Sequence, residues 1–267
     1  YSLSSRGTIC KYSYLYCIIF LVRCQHLLAF FREFWYYSVM KYDIFLFDAD
    51  DTLFDFYNTG KKSFLKACRD KGVPAVETDY DIYSDINQKR WDLFSKGLMD
   101  KRSVVIGRFD EYKTVKNVDF DSEEFYEEYE KNLSETCILF PETVEVLTRL
   151  KSKGVRNYII TNGLKTVQRN RLSISGLYPL LDGVFISDEM GVTKPQKEYY
   201  DLVEKGIPNF DKEKTLIVGD SLVSDIPLGN NNGIDTCLIN RSGKKIESEV
   251  PYTYKIENLK ELYKFVE

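Results

Sequence analysis

Histidine is all but missing from this chain. The single one, His26, lies upstream of every motif that follows, so chemistry in the remainder runs without an imidazole. This argues against histidine phosphatases, Ser-His-Asp hydrolases and most zinc hydrolases. Cysteine is present, at 10, 17, 24, 68, 137 and 237, but no Cys-x-x-Cys pair occurs, which disfavours zinc and thioredoxin-type chemistry. The dispersed Cys68, Cys137 and Cys237 fit reduced thiols and a cytoplasmic location. Cys17 and Arg23 have the Cys-x5-Arg spacing of cysteine phosphatases, yet the five residues between are Ile, Ile, Phe, Leu and Val. A phosphate cradle needs exposed backbone amides and usually glycine, so this is a chance match. A large charge excess is also lacking: the net charge is −4, and no nucleic acid polymer is expected as a partner.

Long apolar runs are absent too. Tyr14 to Tyr37 is aromatic and apolar but is interrupted by Arg23, Gln25, His26, Arg32 and Glu33. Its pieces fall short of the about 20 residues that span a bilayer, and no small-residue cleavage site is well placed. No membrane partner is expected. Methionine does not occur before Met40, where Met-Lys-Tyr-Asp-Ile-Phe leads into the first apolar run. Three readings of residues 1–39 stay open: translated upstream sequence outside the native protein, which is the expectation, a membrane-associating extension, or a helix packed on the domain.

What is present is more specific. The 267 residues, 43% hydrophobic, suffice for a full α/β domain plus a smaller one. The 20 Tyr and 17 Phe are scattered, as core residues are. Residues 44–53 run from Ile-Phe-Leu-Phe into Asp48-Ala-Asp50-Asp-Thr52-Leu. In an extended segment the i and i+2 side chains point the same way, so Asp48 and Asp50 can face one point at a strand end. Two carboxylates that close repel unless a cation or a shared proton lies between them. The pattern suits a divalent metal and an attacking carboxylate. Asp51 and Thr52 are expected to shape the turn.

Three further segments follow. Tyr-Ile-Ile-Thr161-Asn162-Gly163 ends an apolar run in a hydroxyl that can donate to a phosphate oxygen, with glycine freeing the backbone beside it. In Gly191-Val-Thr-Lys194-Pro195, the proline fits the first turn of a helix from Gln196 to Lys205 that stops at Gly206. Lys194 then sits just before a helix N-terminus, where anions are favoured. Thr215-Leu-Ile-Val-Gly219-Asp220 ends a third apolar run in an acid. Asp225 opens the next helical stretch, and a hard cation such as Mg²⁺ takes oxygen ligands of this kind.

Strands are expected at 42–47, 156–161, 183–187, 215–219 and 236–240. Helical stretches separate the last four, including one from Pro141 to Lys153 closed by Gly154. The alternation predicts an α/β fold, a doubly wound parallel sheet of Rossmann type. Ligands of such sheets bind at the carboxyl ends of the strands, where Asp48, Thr161 and Asp220 fall. Between the first strand and Pro141, segments 61–71, 79–96, 101–115 and 121–135 carry apolar residues at helical steps. The stripe Tyr80, Tyr83, Trp91 and Phe94, with Asn87 at its middle step, is expected to be mostly helix-bundle core.

The four segments in this order resemble the haloacid dehalogenase-like (HAD) superfamily of phosphohydrolases over about residues 40–267. Within it, Phe47-Asp-Ala-Asp-Asp-Thr-Leu-Phe54, Ile160-Thr-Asn-Gly163, Ser187-Asp-Glu-Met-Gly-Val192 and Gly219-Asp-Ser221 are most similar to bacterial pyrimidine 5′-nucleotidases. The resemblance implies a core domain of 40–56 and 140–267 and a helical cap at 57–139, hinged near Phe56–Gly60 and Leu139–Pro141. It implies that Asp48 attacks phosphorus to form an aspartyl-phosphate and that Asp50 serves as acid, then base. Mg²⁺ is implied between Asp48, the backbone carbonyl of Asp50, and Asp220, with Asp225 orienting that shell. Thr161, Asn162 and Lys194 are implied to bind the phosphoryl oxygens. Asp50 itself disfavours the dehalogenase branch, which lacks an acid/base aspartate there, and the ion-pump branch has a threonine.

The expected partner is a small phosphomonoester, a nucleoside monophosphate first, in a monomer or homodimer. Phe54, Tyr57, Asn87, Trp91, Lys96 and Arg108 are the candidates for reading the leaving group. A phosphoglycolate or sugar-phosphate phosphatase, a phosphomutase, and a phosphate-binding regulator without turnover are the alternatives.

Overall fold

The computed structural model describes residues 40–243, 245–246 and 248–266; the segment 1–39, with its three readings, lies outside them. The chain divides into two compact units. In the smaller, the described residues include Lys41, whose N–H donates to the Phe265 carbonyl at 3.0 Å. The larger, Tyr42–Lys264, carries everything below.

Its centre is a six-stranded sheet, β1 (Ile44–Phe47), β2 (Arg156–Thr161), β3 (Gly183–Ile186), β4 (Thr215–Gly219), β5 (Asp235–Ile239) and β6 (Tyr254–Ile256), in the order β3-β2-β1-β4-β5-β6. All five pairings are parallel. Strand β1 lies between β2 and β4, with Leu46 opposite both Tyr158 and Ile217. A parallel strand covered on both faces needs an unbroken apolar run rather than an alternating one, and all four β1 residues are buried. On one face Ile44, Leu46, Ile160 and Ile217 pack with Tyr199 and Val203 of α9 (Lys197–Gly206) and Leu228 of α10 (Asp225–Asn232).

A helical insert separates β1 from β2: α1 (Phe56–Asp70), α2 (Asp79–Ser95), α3 (Lys101–Val105), α4 (Gly107–Lys116) and α5 (Ser122–Glu135). Three of the five starts carry side-chain caps. Asp55 accepts from Asn58 N–H, Asp100 from Ser103 N–H, and Asp121 from the N–H groups of Glu123 and Glu124, contacts typically worth about 1 kcal/mol each. The insert has its own aromatic core. The Tyr83 ring stacks between Phe64 at 4.6 Å and Phe109 at 5.3 Å, with Tyr129 edge-on at 5.5 Å. Helices α6 (Thr143–Ser152), α7 (Lys165–Ser175) and α8 (Ser187–Met190) complete the unit.

The parallel sheet and the helical texture of the insert are as expected. Details differ. A sixth strand, β6, was not expected; three residues at a sheet edge give too short a pattern. The 101–115 stretch breaks at Ile106 into α3 and α4. Pro141 precedes α6 by two residues, in a turn where Thr143 Oγ1 donates to the Leu53 carbonyl at 2.8 Å. Pro195 likewise stands outside α9, whose N-cap is Gln196. Residues 56–60, expected as a hinge, form the first turns of α1. Among the described residues no helix is long and apolar enough to cross a membrane.

Candidate active site

Strand β1 delivers Asp48 to the carboxyl edge of the sheet, where its N–H continues the ladder by donating to Val218 O at 2.8 Å. The chain then turns sharply. Leu53 and Phe54 N–H groups both return to Ala49 O at 2.9 Å. Asp51 sits at the turn with φ +57°, a left-handed conformation that Asp tolerates better than most residues. Its Oδ1 accepts from Phe56 and Tyr57 N–H at 3.1 and 3.3 Å, tying the turn to the start of α1. Burial and the Asp50 charge push Asp51 up to about 6, against the pull of those backbone bonds. The turn-shaping role read for Asp51 matches this geometry.

Strand β4 and the loop after it bring two more carboxylates. Asp220 follows Gly219, and Asp225 is the first residue of α10. A Cβ on Gly219 would lie 2.2 Å from Asp225 Oδ2, so only glycine permits that approach. Asp225 Oδ2 also accepts from Ser221 N–H at 3.1 Å. Carboxylate oxygens of Asp48, Asp220 and Asp225 all lie within 4.8 Å of one another. A hard divalent cation matches this donor set, since three carboxylates converge there and one lysine ammonium offsets only part of their charge.

Lys194 supplies one positive charge to the cluster. It is 1% exposed, not the solvated lysine that is most common. Its Nζ donates to Asp48 Oδ1 at 2.6 Å, Asp225 Oδ1 at 2.7 Å and Ile160 O at 2.8 Å. Burial alone would push Lys194 down; the Asp225 and Asp48 charges outweigh it and hold the ammonium well above its usual range. One ammonium cannot balance several carboxylates. Asp48 takes the strain: burial pushes it up to about 8, with Lys194 opposing and Asp225 and Asp50 adding to the rise. Asp220 is raised too, by its surroundings and by the Asp48 and Asp225 charges. Its side chain is exposed to the cavity, so water there relieves part of that penalty.

Strand β2 ends at Thr161, 1% exposed, whose Oγ1 accepts from Gly163 N–H at 3.0 Å. Asn162 is placed differently from the phosphate-contact reading. Its Oδ1 accepts from Lys194 N–H at 2.8 Å, and its Nδ2 donates to Lys194 O at 2.9 Å and to Ser95 Oγ at 3.5 Å. The side-chain amide is thus occupied in bracing the lysine backbone.

A cavity of about 150 Å³ with an open mouth lies between these residues and the insert. Asp48, Asp50, Thr161, Asn162, Lys194, Asp220 and Asp225 line its floor; Asn87, Trp91 and Arg108 line the insert side. Arg108 is 2% exposed and donates to Asn87 Oδ1 at 2.7 Å, and among the described residues no carboxylate pairs with it. The other three candidate substrate readers are not brought to this wall. Tyr57 is 41% exposed and bonds Asp81. Lys96 is exposed beyond the end of α2. Phe54 is fully buried beneath the Arg171 guanidinium, 4.4 Å from its ring centre. Tyr80 and Tyr83 belong to the insert's core, as expected for most of the stripe.

Two residues that the sequence reading did not single out touch Asp50 directly. Gln168 Nε2 donates to Asp50 Oδ2 at 2.6 Å and Arg171 Nη1 to Asp50 Oδ1 at 2.5 Å. Both are on α7, three residues apart, hence on one face. The available signal was a pair of polar residues set between apolar Val167 and Leu172, on the side of the helix that is buried.

The sequence profile of the haloacid dehalogenase-like hydrolases matches residues 42–233. The HAD-hydrolase YfnB of Bacillus subtilis strain 168 is 35% identical over 223 residues, 84% of this chain and 94% of that protein. The pyrimidine 5′-nucleotidase YjjG of Escherichia coli K12 is 32% identical over 225 residues, 84% of this chain and 97% of that protein. A crystal structure of YfnB, described as bound to magnesium and as revealing interdomain movement, superimposes with a TM-score of 0.80 at 34% identity, covering 85% of this chain and 99% of the other.

Proposed function

The chain belongs to the haloacid dehalogenase-like hydrolases, and from that premise we propose that it is a Mg²⁺-dependent phosphomonoesterase acting on nucleoside 5′-monophosphates through an aspartyl-phosphate. The observation that carries the reading is the pairing of a buried nucleophile candidate with a proton-transfer candidate. Asp48 is fixed by Lys194, and Asp50 opens on the same cavity two residues on. Asp48 Oδ attacks phosphorus and the bond from phosphorus to the ester oxygen breaks, while Asp50 delivers a proton to the departing alkoxide. Water then gives its proton to Asp50 and attacks the same phosphorus, releasing Asp48 and inorganic phosphate. Thr161 and Lys194 offset charge on the transferring oxygens. Asp48, Asp220 and Asp225, with the Asp50 carbonyl, are the residues that would hold Mg²⁺. Bound there, the ion supplies positive charge to the phosphoryl oxygens.

We read the insert as a cap over this site. Support for a nucleotide comes from relatives named as pyrimidine 5′-nucleotidases and from Trp91 and Asn87 on the cavity wall. A second reading has its own observation. Arg108 is a buried cation on that wall without a carboxylate partner among the described residues, which favours a substrate anionic at its far end, such as phosphoglycolate or a sugar phosphate. Phosphate release from a panel of these esters, with Mg²⁺ and with excess chelator, tests both. Nucleoside monophosphates leading in kcat/KM supports the first; phosphoglycolate or hexose phosphates leading supports the second. Turnover undiminished by chelator would refute the metal-dependent mechanism.

A further inference from the structure

Asp50 is held from both sides by α7. Gln168 donates to one carboxylate oxygen at 2.6 Å and Arg171 to the other at 2.5 Å. Arg171 is fully buried, its side chain 0% exposed. Its Nε and Nη2 find no hydrogen-bond partner among the described residues, and its guanidinium lies 4.4 Å from the Phe54 ring centre and 5.8 Å from that of Phe56. Asp50 is its only ion-pair partner among those residues. A buried guanidinium is costly to desolvate, and one ion pair with two aromatic faces is a modest return if stability were its only role. Gln168 is placed as deliberately. Gly163, next to the Thr161 strand end, leaves it room: a Cβ there would lie 2.3 Å from Gln168 Nε2.

We propose that Gln168 and Arg171 are positioning residues that fix the plane of the Asp50 carboxylate for proton transfer. The inference rests on the phosphomonoesterase reading above. Each carboxylate oxygen offers two lone pairs. The clamp uses one on each and leaves the others open to the cavity, so the group keeps a single orientation yet can still take up and give a proton. In the first half-reaction that proton passes to the ester oxygen as its bond to phosphorus breaks. In the second it comes from the attacking water.

The test exploits leaving groups. An alkyl phosphomonoester such as a nucleoside 5′-monophosphate needs the proton as its bond breaks; p-nitrophenyl phosphate departs as a stable phenolate without it. Because kcat/KM covers only steps up to loss of the leaving group, it isolates this difference. In the full chain, Gln168→Leu and Arg171→Lys should each lower kcat/KM for the alkyl ester at least about 10-fold, and for p-nitrophenyl phosphate at most about 3-fold, in line with the cost of misplaced acid–base groups. Gly163→Ala, which crowds Gln168 without touching Asp50, should show the same split. Equal losses on both esters, or no loss on either, would overturn the proposal. If Arg171→Lys does not fold, Gln168→Leu and Gly163→Ala decide. If the unaltered protein hydrolyses neither ester, the phosphomonoesterase reading itself fails and the clamp falls with it.

Discussion

Replacing Lys194 by methionine isolates the electrostatics of the site. The two side chains are similar in length and volume, so the change removes charge and hydrogen bonds without opening a large void. What it removes is specific: donors 2.6 Å from Asp48, 2.7 Å from Asp225 and 2.8 Å from the Ile160 carbonyl, on a residue 1% exposed. Two carboxylates would then face each other across the vacated position, with Asp220 oxygens within 4.8 Å. Breaking a buried ion pair from one side costs about 3–5 kcal/mol. For a unit of this size that corresponds to a fall in Tm of about 6–20 °C. Calorimetry or dye-monitored melting in excess chelator reads the loss. Adding Mg²⁺ should then raise the Tm of the variant more than that of the unaltered protein, because a divalent cation replaces the missing charge. Phosphate release should be lost in either case. A variant melting within about 2 °C of the parent in chelator, less than 1 kcal/mol at this size, would refute the claim that Lys194 neutralises the cluster.

Three further outcomes are expected. Asp48→Asn should abolish phosphate release while changing Tm little, because it relieves a buried carboxylate already raised to about 8; retained turnover above about a tenth, far more than loss of a nucleophile allows, would exclude Asp48 from that role. Trp91→Ala should lower kcat/KM for nucleoside monophosphates more than for a small phosphoester if the ring stacks on a base, a contact worth about 1–3 kcal/mol in other nucleotide complexes, whereas parallel losses with a lowered Tm would mark it as packing. Asp79, held below the usual carboxylate range by Lys116 at 2.5 Å and by Val76 N–H at 2.8 Å, should stabilise the insert by about 1.5 kcal/mol at neutral pH. Because its folded pKa is depressed, that gain is present above the usual Asp value and disappears as pH falls through the folded one, so Asp79→Asn and the parent should converge in Tm in acid.

Much of this site was legible because strand ends are legible. Apolar runs stopping at Asp48, Thr161 and Gly219-Asp220 mark where buried strands meet solvent, and parallel topology places all three on one edge. Residues whose role depends on helix orientation were not legible in the same way. Gln168 and Arg171 read as two ordinary polar residues, since a helical pattern shows a polar face but not what the face meets. Lys194 read as a helix-terminal lysine; its burial follows from β1 and α10 both presenting carboxylates to it, a contact between distant segments. The family resemblance implies a phosphate contact for Asn162, but it does not show that the side-chain amide is engaged with the Lys194 backbone. Tyr57 and Lys96 illustrate the converse: aromatic or basic character near the site says nothing about which way a helix turns them.

Placing several acids around one lysine is unfavourable locally, and the raised values of Asp48 and Asp220 register it. The arrangement persists because no single element can relieve it. Asp48 is fixed by the β1 ladder through Val218, Asp225 by the first turn of α10 and the Ser221 N–H, and Lys194 by the two-way bond between its backbone and Asn162. Moving any one carboxylate outward would break backbone hydrogen bonds of a buried sheet or a helix start, at a cost comparable to the repulsion saved. The strain is therefore held in place for whatever brings positive charge, and a divalent metal ion answers that description. On this argument affinity for the cation and reactivity of Asp48 share one origin, so substitutions that loosen the Asn162 brace should weaken both together.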